Sequence, residues 1–212
     1  ITLQGMTIKS TSATPGSGGA DAIVFWNAST GEIKDSAIQG IYTINGVQSG
    51  QGIAVDAGSG QTATLALTDT AISGFQKNAI DVVDGNGQAS NGGTITVNVT
   101  RATITGAGPT DAIAQNGIVF FNQGGGNLSG TISGGSISGF NYTPAGDEAA
   151  GFLNFGSGTG TISISGVAFS GNEVHVFDNQ GNLGMADIFS NNRFDKSVML
   201  KDGHVIYSTI QG

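Results

Sequence analysis

The sequence predicts an all-β solenoid, a fold in which similar coils stack and each buries its apolar face against its neighbours. Three observations support this fold class: a short phrase repeats at a fixed interval, strand-like alternation precedes it, and glycine is abundant. The phrase is an apolar residue, a polar residue and glycine, and its apolar members are 34, 32, 33 and 32 residues apart. It occurs at Ile38-Gln39-Gly40, Ile72-Ser73-Gly74, Ile104-Thr105-Gly106, Ile137-Ser138-Gly139 and Phe169-Ser170-Gly171.

The segment before each phrase alternates between apolar and polar residues, which is the pattern of a strand with one buried face. Two apolar columns are predicted to point inward, one formed by Leu65, Val97 and Ile162 and the other by Leu67, Val99, Ile132 and Ile164. The polar columns between them are rich in Thr and Ser and are expected to face solvent. Glycine and β-branched residues fill the same windows, so no helical pattern competes.

A second strand opens each coil and carries Ile, Val or Phe at its first and third places. Its copies cover residues 23–27, 53–56, 80–84, 118–122, 152–155 and 174–178. The fifth place is often Asn or Asp, which favours a tight turn because these short side chains bond nearby backbone. Asn154 falls in a predicted core column, so we expect a register shift in this copy of the strand.

Each coil is therefore predicted to contain three short strands: the opening strand, the Thr- and Ser-rich strand, and a short strand that ends in the repeated phrase. The chain of 212 residues would hold about six to seven such coils. Loops of unequal length join the strands, and the longest cover residues 84–93, 106–116 and 141–150.

Composition narrows the classes of function. The chain has 37 glycines, 10% charged residues, no Cys and a formal net charge of −8 with seven basic residues. Nucleic acid and anionic membranes are bound by clustered Lys and Arg, so we expect neither partner. We also expect no membrane insertion, because no apolar run reaches the length of a span. Low charge with abundant Gly, Ser and Thr favours an extracellular or bacterial cell-surface location.

The residues also resemble a known family. Asn116-Gly117-Ile118-Val119-Phe120, Gly130-Thr131-Ile132-Ser133 and Ser136-Ile137-Ser138-Gly139 look like one coil of the right-handed parallel β-helix of the pectate-lyase-like superfamily. Within it, the repeats are most similar to those of large bacterial secreted and cell-surface proteins. The resemblance implies a single-stranded right-handed β-helix. It implies no single function, because this fold carries lyases, hydrolases, phage tailspikes and adhesins alike.

The ends of the sequence favour a module of a longer protein. The chain begins inside a predicted strand, with Ile1, Leu3 and Ile8 in core columns, and residues 205–212 resemble the opening of a further β-helix domain. We therefore expect 1–212 to be one module of a multi-module chain, with 197–212 leading into the next. Its uncapped ends and an apolar outer face would contact neighbouring modules or subunits. The alternative is a short independent protein with different caps.

A calcium-dependent polysaccharide lyase is the alternative from the enzyme class. Such an enzyme would need acidic Ca²⁺ ligands on neighbouring coils and an Arg or Lys to abstract a proton. The weak calcium candidates are Asp56, Asp81 and Asp84, and Lys77 is the basic residue that closely precedes them. Arg101 aligns with Asp69, and a pair between coils is the simpler interpretation. We predict no catalytic residues and no required cofactor.

The two histidines carry no sign of a metal site. His175 and His204 lie far apart in the repeat and have no acidic or Cys partners at ligand spacing. We expect both at the surface or at an edge.

A row of large apolar residues is predicted on the outward face of the opening strands. It contains Trp26, Val83, Phe121, Phe155 and Phe177, with Val24, Val119 and Leu153 beside them. A strand that is apolar on both faces is one that something covers, so we expect a module, a subunit or a flanking segment there. The alternative is that sugar rings stack on the aromatic members.

The outward polar columns form a second candidate surface. Its members are Thr64, Thr68, Thr96, Asn98, Thr100, Thr131 and Thr161. Such ranks, about 4.8 Å apart from coil to coil, would suit ice or a surface glycan. They are also the ordinary exterior of a β-helix with few charges, and Ala66, Glu32 and Lys34 break their regularity.

The sequence thus predicts a non-catalytic β-helix module of a bacterial secreted or surface protein, which acts as a structural stalk or an adhesive segment. A calcium-dependent lyase and an ice- or glycan-binding Thr/Ser face remain the alternatives.

Overall fold

The computed structural model describes residues 1–10, 21–85, 92–144, 147, 149–181, 183–195, 198–201 and 204–207. Over these residues the chain forms a parallel β-solenoid in which each coil contributes one strand to each of three sheets. This confirms the predicted all-β solenoid with three strands per coil. From the first to the last strand of one six-stranded sheet the chain completes about five turns, slightly fewer than the six to seven predicted.

The strands are numbered along the chain, and each sheet collects one type. Sheet A holds the Thr- and Ser-rich strands β1 (Thr2–Gln4), β4 (Thr30–Lys34), β7 (Thr62–Thr68), β10 (Thr94–Thr100), β13 (Asn127–Ser133) and β16 (Ile162–Ser165). Sheet B holds β2 (Thr7–Ile8), β5 (Ala37–Ile38), β8 (Ala71–Ser73), β11 (Thr103–Thr110), β14 (Ser136–Tyr142), β17 (Ala168–Ser170) and β19 (Arg193–Phe194). Sheet C holds the opening strands β3 (Ile23–Trp26), β6 (Ile53–Ala57), β9 (Asn78–Asp84), β12 (Asn116–Asn122), β15 (Ala150–Gly156) and β18 (Val174–Asp178).

The inward columns of sheet A align as the alternation predicted. Leu67, Val99, Ile132 and Ile164 stand in register on four successive strands, and none is more than 3% exposed. In the other column, Gly130 lies between Val97 and Ile162. Burying one large aliphatic side chain stabilises the fold by roughly 1.5–3 kcal/mol, so these stacked columns are the main source of stability.

The repeated phrase ends at a corner of the coil where the backbone is left-handed. Gly40, Gly74, Gly139 and Gly171 have φ of 59°, 67°, 79° and 61°. At Gly74 a Cβ would lie 2.4 Å from the backbone nitrogen of Gly40, so both the dihedral and the space require glycine. Gly106 differs, because it is not among the residues with positive φ, and the register of β11 with β14 shifts between Thr105 and Gly108.

The register of sheet C corrects one expectation. Residues 118–122 pair with residues 152–156 in unbroken order, so the register shift expected at Asn154 is wrong. Asn154 does occupy a core column, where it is 1% exposed and donates from Nδ2 to Asp178 Oδ1 at 2.8 Å. The next pairing aligns Leu153 with Phe177, so Phe177 stands beside Leu153 and not in the column of Phe155.

A short helix, α1 (Met185–Asn191), was not predicted from the sequence. It packs against β16, and Ile188 on the helix is only 2% exposed. Asn192 ties it to the coil, since its Nδ2 donates to the carbonyls of Ile164 and Ile188, each at 2.8 Å. The helix therefore packs against the last strand of sheet A. The uncapped ends that would contact neighbouring modules stay a prediction.

Two further strands follow β19. β20 (Val198–Lys201) and β21 (His204–Tyr207) pair as an antiparallel hairpin. That residues 197–212 lead into a next module stays a prediction. Residues 208–212 of that segment lie outside the described residues. In the described part of the chain, no helix is long and apolar enough to cross a membrane.

Candidate functional site

A groove with a volume of about 550 Å³ lies over the outer face of sheet C, and we call it the sheet C groove. Its floor includes Leu153, Phe155 and Phe177, which belong to β15 and β18. Its rim includes Lys77, Tyr142 and Asp147, which lie on or beside the connections from sheet B to sheet C. Four successive connections of different length each contribute a residue to the groove, namely Gln48, Lys77, Ala114 and Asp147.

The predicted aromatic row divides into two parts. Phe121 and Phe155 pair directly, with ring centroids 5.4 Å apart in an edge-to-face arrangement. Trp26 stands at the far end of the same column, separated from them by Asp56 and Val83. The groove therefore contains Phe155 and Phe177, and Trp26 lies four strands from Phe155.

Lys77 is the cationic group of the groove. Its Nζ donates to the carbonyl of Ala114 at 2.6 Å, across the corner to the next coil. Burial lowers the pKa of Lys77, and the nearby carboxylates of Asp147 and Asp81 partly oppose that shift. The ammonium group is therefore held at the rim by a backbone carbonyl and lies close to opposite charge.

Two asparagines fix the edge of the groove where the strands of sheet C begin. Asn116 Nδ2 donates to Asn78 Oδ1 at 3.1 Å, and Asn116 Oδ1 accepts from the amide of Ala150 at 3.0 Å. These bonds join β9, β12 and β15 side by side. Neither asparagine was predicted as a site residue, although an Asn at the same place in two copies of the opening strand is visible in the sequence.

Glu173 binds both ends of the connection between β14 and β15, on which Asp147 lies. Its side chain is fully buried, and Oε2 accepts from the amides of Tyr142 and Ala149 at 3.2 and 3.0 Å. Tyr142 and Ala149 lie at the two ends of the connection between β14 and β15, so the carboxylate of Glu173 joins these two ends. Sequence reasoning missed Glu173, because an acidic residue in a turn next to Asn172 resembles a solvated loop.

The three calcium candidates do not come together. Asp56 and Asp81 lie on adjacent strands of sheet C, paired with Val83 and Ala54 respectively. Burial raises the pKa of Asp81 to about 7, while the amide of Asn78 acts in the opposite sense. Within the described residues there is no group of three or more His, Asp or Glu side chains that could hold a metal ion.

Asp84 has a structural position. Its side chain is 0% exposed, and its carboxylate accepts from the amides of Gln123, Gly124 and Gly126 at 2.6, 2.9 and 2.6 Å. It therefore anchors the turn of the following coil and points away from Asp56 and Asp81.

The Thr and Ser ranks stand on the outer face of sheet A as expected. The aligned members are Thr64, Thr96, Thr161, Thr68, Thr100, Asn98 and Thr131. Asn98 Oδ1 accepts from both the hydroxyl and the amide of Thr131, at 2.9 and 3.2 Å. Part of this face thus satisfies its hydrogen bonds from coil to coil within the sheet.

The predicted pair between Arg101 and Asp69 is confirmed. Arg101 donates in a bidentate manner, from Nε to Oδ1 at 2.7 Å and from the terminal nitrogen to Oδ2 at 2.5 Å. The guanidinium hydrogen bond lowers the pKa of Asp69. Both side chains are exposed, so the pair contributes little to stability.

The expected surface position of His175 is wrong. Its side chain is fully buried beside Phe169 and Phe194, and Nε2 lies 3.0 Å from Asp195 Oδ1. Burial lowers the pKa of His175, while Asp195 opposes the shift. The ring links β18 to the chain after β19. The side chain of His204 lies outside the described residues.

Comparison with models of known protein families finds no match to the chain, and no curated protein or solved structure matches it. The class to which the protein belongs is therefore defined by its architecture: it is a parallel β-solenoid with three sheets.

Proposed function

We propose that the chain is a non-catalytic β-helix module of a bacterial secreted or cell-surface protein, where it serves as a structural stalk or an adhesive segment. The proposal includes a right-handed coil of the pectate-lyase-like type. One observation carries it: the strands stay in register from coil to coil through three continuous parallel sheets. A continuous hydrogen-bonded stack resists bending and extension, which is what a stalk requires.

Side chains reinforce that stack between neighbouring coils. Asn116 bonds Asn78 in sheet C, and Thr131 bonds Asn98 in sheet A. A force along the solenoid axis would have to break these contacts together with the backbone ladders. The low charge and the many Ser and Thr residues fit an exposed, extracellular surface.

The mechanical part of the proposal is tested by pulling the complete chain from its two ends in an optical trap. We expect one cooperative rupture that releases most of the extended chain, about 3.4 Å per residue. The proposal predicts the same rupture in repeated cycles. Gradual extension without a rupture event would contradict a stalk.

A lyase-like enzyme is a second candidate, because two side chains at or near the groove have shifted pKa values. The pKa of Asp81 is raised to about 7 and that of Lys77 is lowered, which are the directions used in acid–base catalysis. The test is incubation with acidic polysaccharides, with calcium and with a chelator, while unsaturated products are monitored. We expect no product. Product that disappears in Asp81→Ala and persists in Asp187→Ala, a change on helix α1, would overturn the non-catalytic proposal.

A further inference from the structure

We infer that the sheet C groove binds a neutral saccharide, whose rings stack on Phe155 and Phe177 and whose hydroxyls bond Lys77 and Asp147. The inference rests on the adhesive part of the proposed function and assigns it a face and a class of ligand. It also separates the groove from the Thr and Ser ranks of sheet A, which lie on a different sheet.

The dimensions of the groove suit a small part of a glycan chain. Its volume of about 550 Å³ lies within the usual range of small-ligand clefts, about 300–1,000 Å³. Such clefts combine an apolar floor with a few polar groups that fix orientation. The sheet C groove has this composition.

The floor presents aromatic surface from two adjacent strands. Phe155 on β15 is 40% exposed, although Phe121 packs against its edge. Phe177 lies on β18 beside Leu153, so the two rings are offset along the strands. A pyranose ring has an apolar C–H face, and burying that face against aromatic carbon is favourable for the same reason as other apolar burial. Two offset rings give room for more than one sugar.

The rim supplies both kinds of hydrogen-bonding partner that sugar hydroxyls need. An ammonium group has three N–H donors, and Lys77 directs one of them to the carbonyl of Ala114. The carboxylate of Asp147 is an acceptor on the same rim. A hydroxyl group both donates and accepts, so this pair matches it.

Charge decides between a neutral and an acidic saccharide. Lys77 lies close enough to the carboxylates of Asp147 and Asp81 for both to favour its charged form. Lys77 is thus the one basic side chain among the described residues that line the groove, and the whole chain carries a formal charge of −8. A polyanionic glycan would be repelled by this field, whereas a neutral glycan would not.

Buried hydrogen bonds fix two parts of the groove. Glu173 joins the two ends of the connection between β14 and β15, and Asn116 joins three strands at the edge of the floor. These bonds lower the cost of ordering the edge of the floor and the ends of the connection between β14 and β15 when a ligand binds.

The test is calorimetric titration of the complete chain with hexasaccharides of β-1,4-glucan, β-1,3-glucan, α-1,4-glucan and β-1,4-mannan, with hexagalacturonate as the acidic comparison. We expect saturable binding to at least one neutral oligomer and weaker binding of hexagalacturonate. Phe155→Ala and Phe177→Ala should each weaken the neutral ligand tenfold or more. Trp26→Ala is the matched control, because Trp26 is an exposed aromatic in the column of Phe155 but roughly 19 Å away at the usual strand spacing.

Lys77→Gln provides a second variant that keeps the aromatic floor. It should weaken binding about tenfold while the thermal transition stays that of the parent. Circular dichroism on every variant shows whether the fold is retained, and Phe155→Ala is expected to keep it because Phe155 is partly exposed.

Three results would overturn the inference: no binding of any neutral oligomer, tighter binding of hexagalacturonate, or binding lost in Trp26→Ala or Thr131→Lys but kept in Phe155→Ala. Cleavage of the bound sugar would instead overturn the non-catalytic function and leave the groove assignment standing. A chain that binds no sugar yet ruptures cooperatively and forms no product would lose this inference alone.

Discussion

Buried carboxylates act in this molecule as anchors for turns. Asp84 shows the principle most clearly, since three backbone amides of the next coil converge on a side chain with no exposed surface. We expect Asp84→Ala to lower the free energy of unfolding by about 3 kcal/mol, because an unpaired buried amide costs about 1–3 kcal/mol. Urea denaturation measures it. Asp111→Ala, at an exposed site, should change the value by less than about 0.5 kcal/mol; equal effects of the two changes would contradict the anchor.

Asp81 gives the molecule a definite pH dependence. Burial raises its pKa in the folded protein to about 7, from an ordinary value of 3.8. A raised pKa means that the protonated group contributes its full stability below pH 3.8 and loses it as the pH rises through about 7. Asp81→Asn keeps an acceptor for Asn78 Nδ2 and removes the charge.

We therefore expect Asp81→Asn to raise the free energy of unfolding by about 1–4 kcal/mol at pH 8, since one pKa unit corresponds to about 1.4 kcal/mol, and to change it little at pH 4. Thermal unfolding at the two pH values provides the measurement. Stabilisation that is the same at both pH values would show that the charge of Asp81 is not its cause.

At the scale of the element, two corner glycines show two different reasons for glycine: a left-handed backbone and a lack of space for a Cβ. Gly40 and Gly74 occupy the same corner in successive coils, with φ of 59° and 67°. A Cβ on Gly40 would have no heavy atom within 4 Å, whereas one on Gly74 would lie 2.4 Å from the backbone nitrogen of Gly40.

We expect Gly40→Ala to destabilise the chain by about 1–2 kcal/mol, the cost of a left-handed backbone with a Cβ. Gly74→Ala should cost at least about 1 kcal/mol more, because the backbones of two coils must also move apart. Chemical denaturation of the pair checks the difference. Equal losses would mean that the dihedral alone requires glycine at this corner.

The elements also show what sequence reasoning can reach. The strands and their faces were predictable, because alternation over seven residues in β7 and β10 marks one buried face. Helix α1 was not, since it has seven residues and no side-chain cap at its N-terminus, too little for a periodic signal. The buried place of Asn154 was taken as the sign of a register shift, which is wrong, because its partner Asp178 depends on register 24 residues along the chain, which local pattern does not contain.

For the whole molecule, stability depends on every coil at once. Ile132 lies within a column that crosses four strands and is 2% exposed. We expect Ile132→Asp to abolish the cooperative thermal transition, because an unpaired charge in the core is strongly unfavourable and each coil is supported only by its neighbours. Val99→Asp should do the same.

Thr131→Asp is the matched control, since Thr131 adjoins Ile132 on the same strand but faces solvent. It should keep the transition within a few degrees of the parent. A native-like transition in Ile132→Asp would show that a coil can open without loss of the stack.

The candidate site was only partly predictable, because some of its contacts join residues far apart along the chain. The aromatic members of its floor were visible in the sequence, because they recur on the outward side of the opening strands. The groove itself depends on which residues of the connections lie beside sheet C and on Glu173, whose partners Tyr142 and Ala149 lie 31 and 24 residues before it. Such distances along the chain are set by the stacking of coils and leave no local pattern.

The two hydrogen bonds that Glu173 accepts from Tyr142 and Ala149 have a practical consequence. Because the buried carboxylate of Glu173 accepts from the amides of Tyr142 and Ala149, we expect the strands on either side to keep their register when the sequence between these two residues is changed. A peptide of different length or sequence between Tyr142 and Ala149 is therefore expected to leave β14 and β15 in place. A solenoid built in this way can acquire new recognition by exchanging one connection, with no redesign of its core.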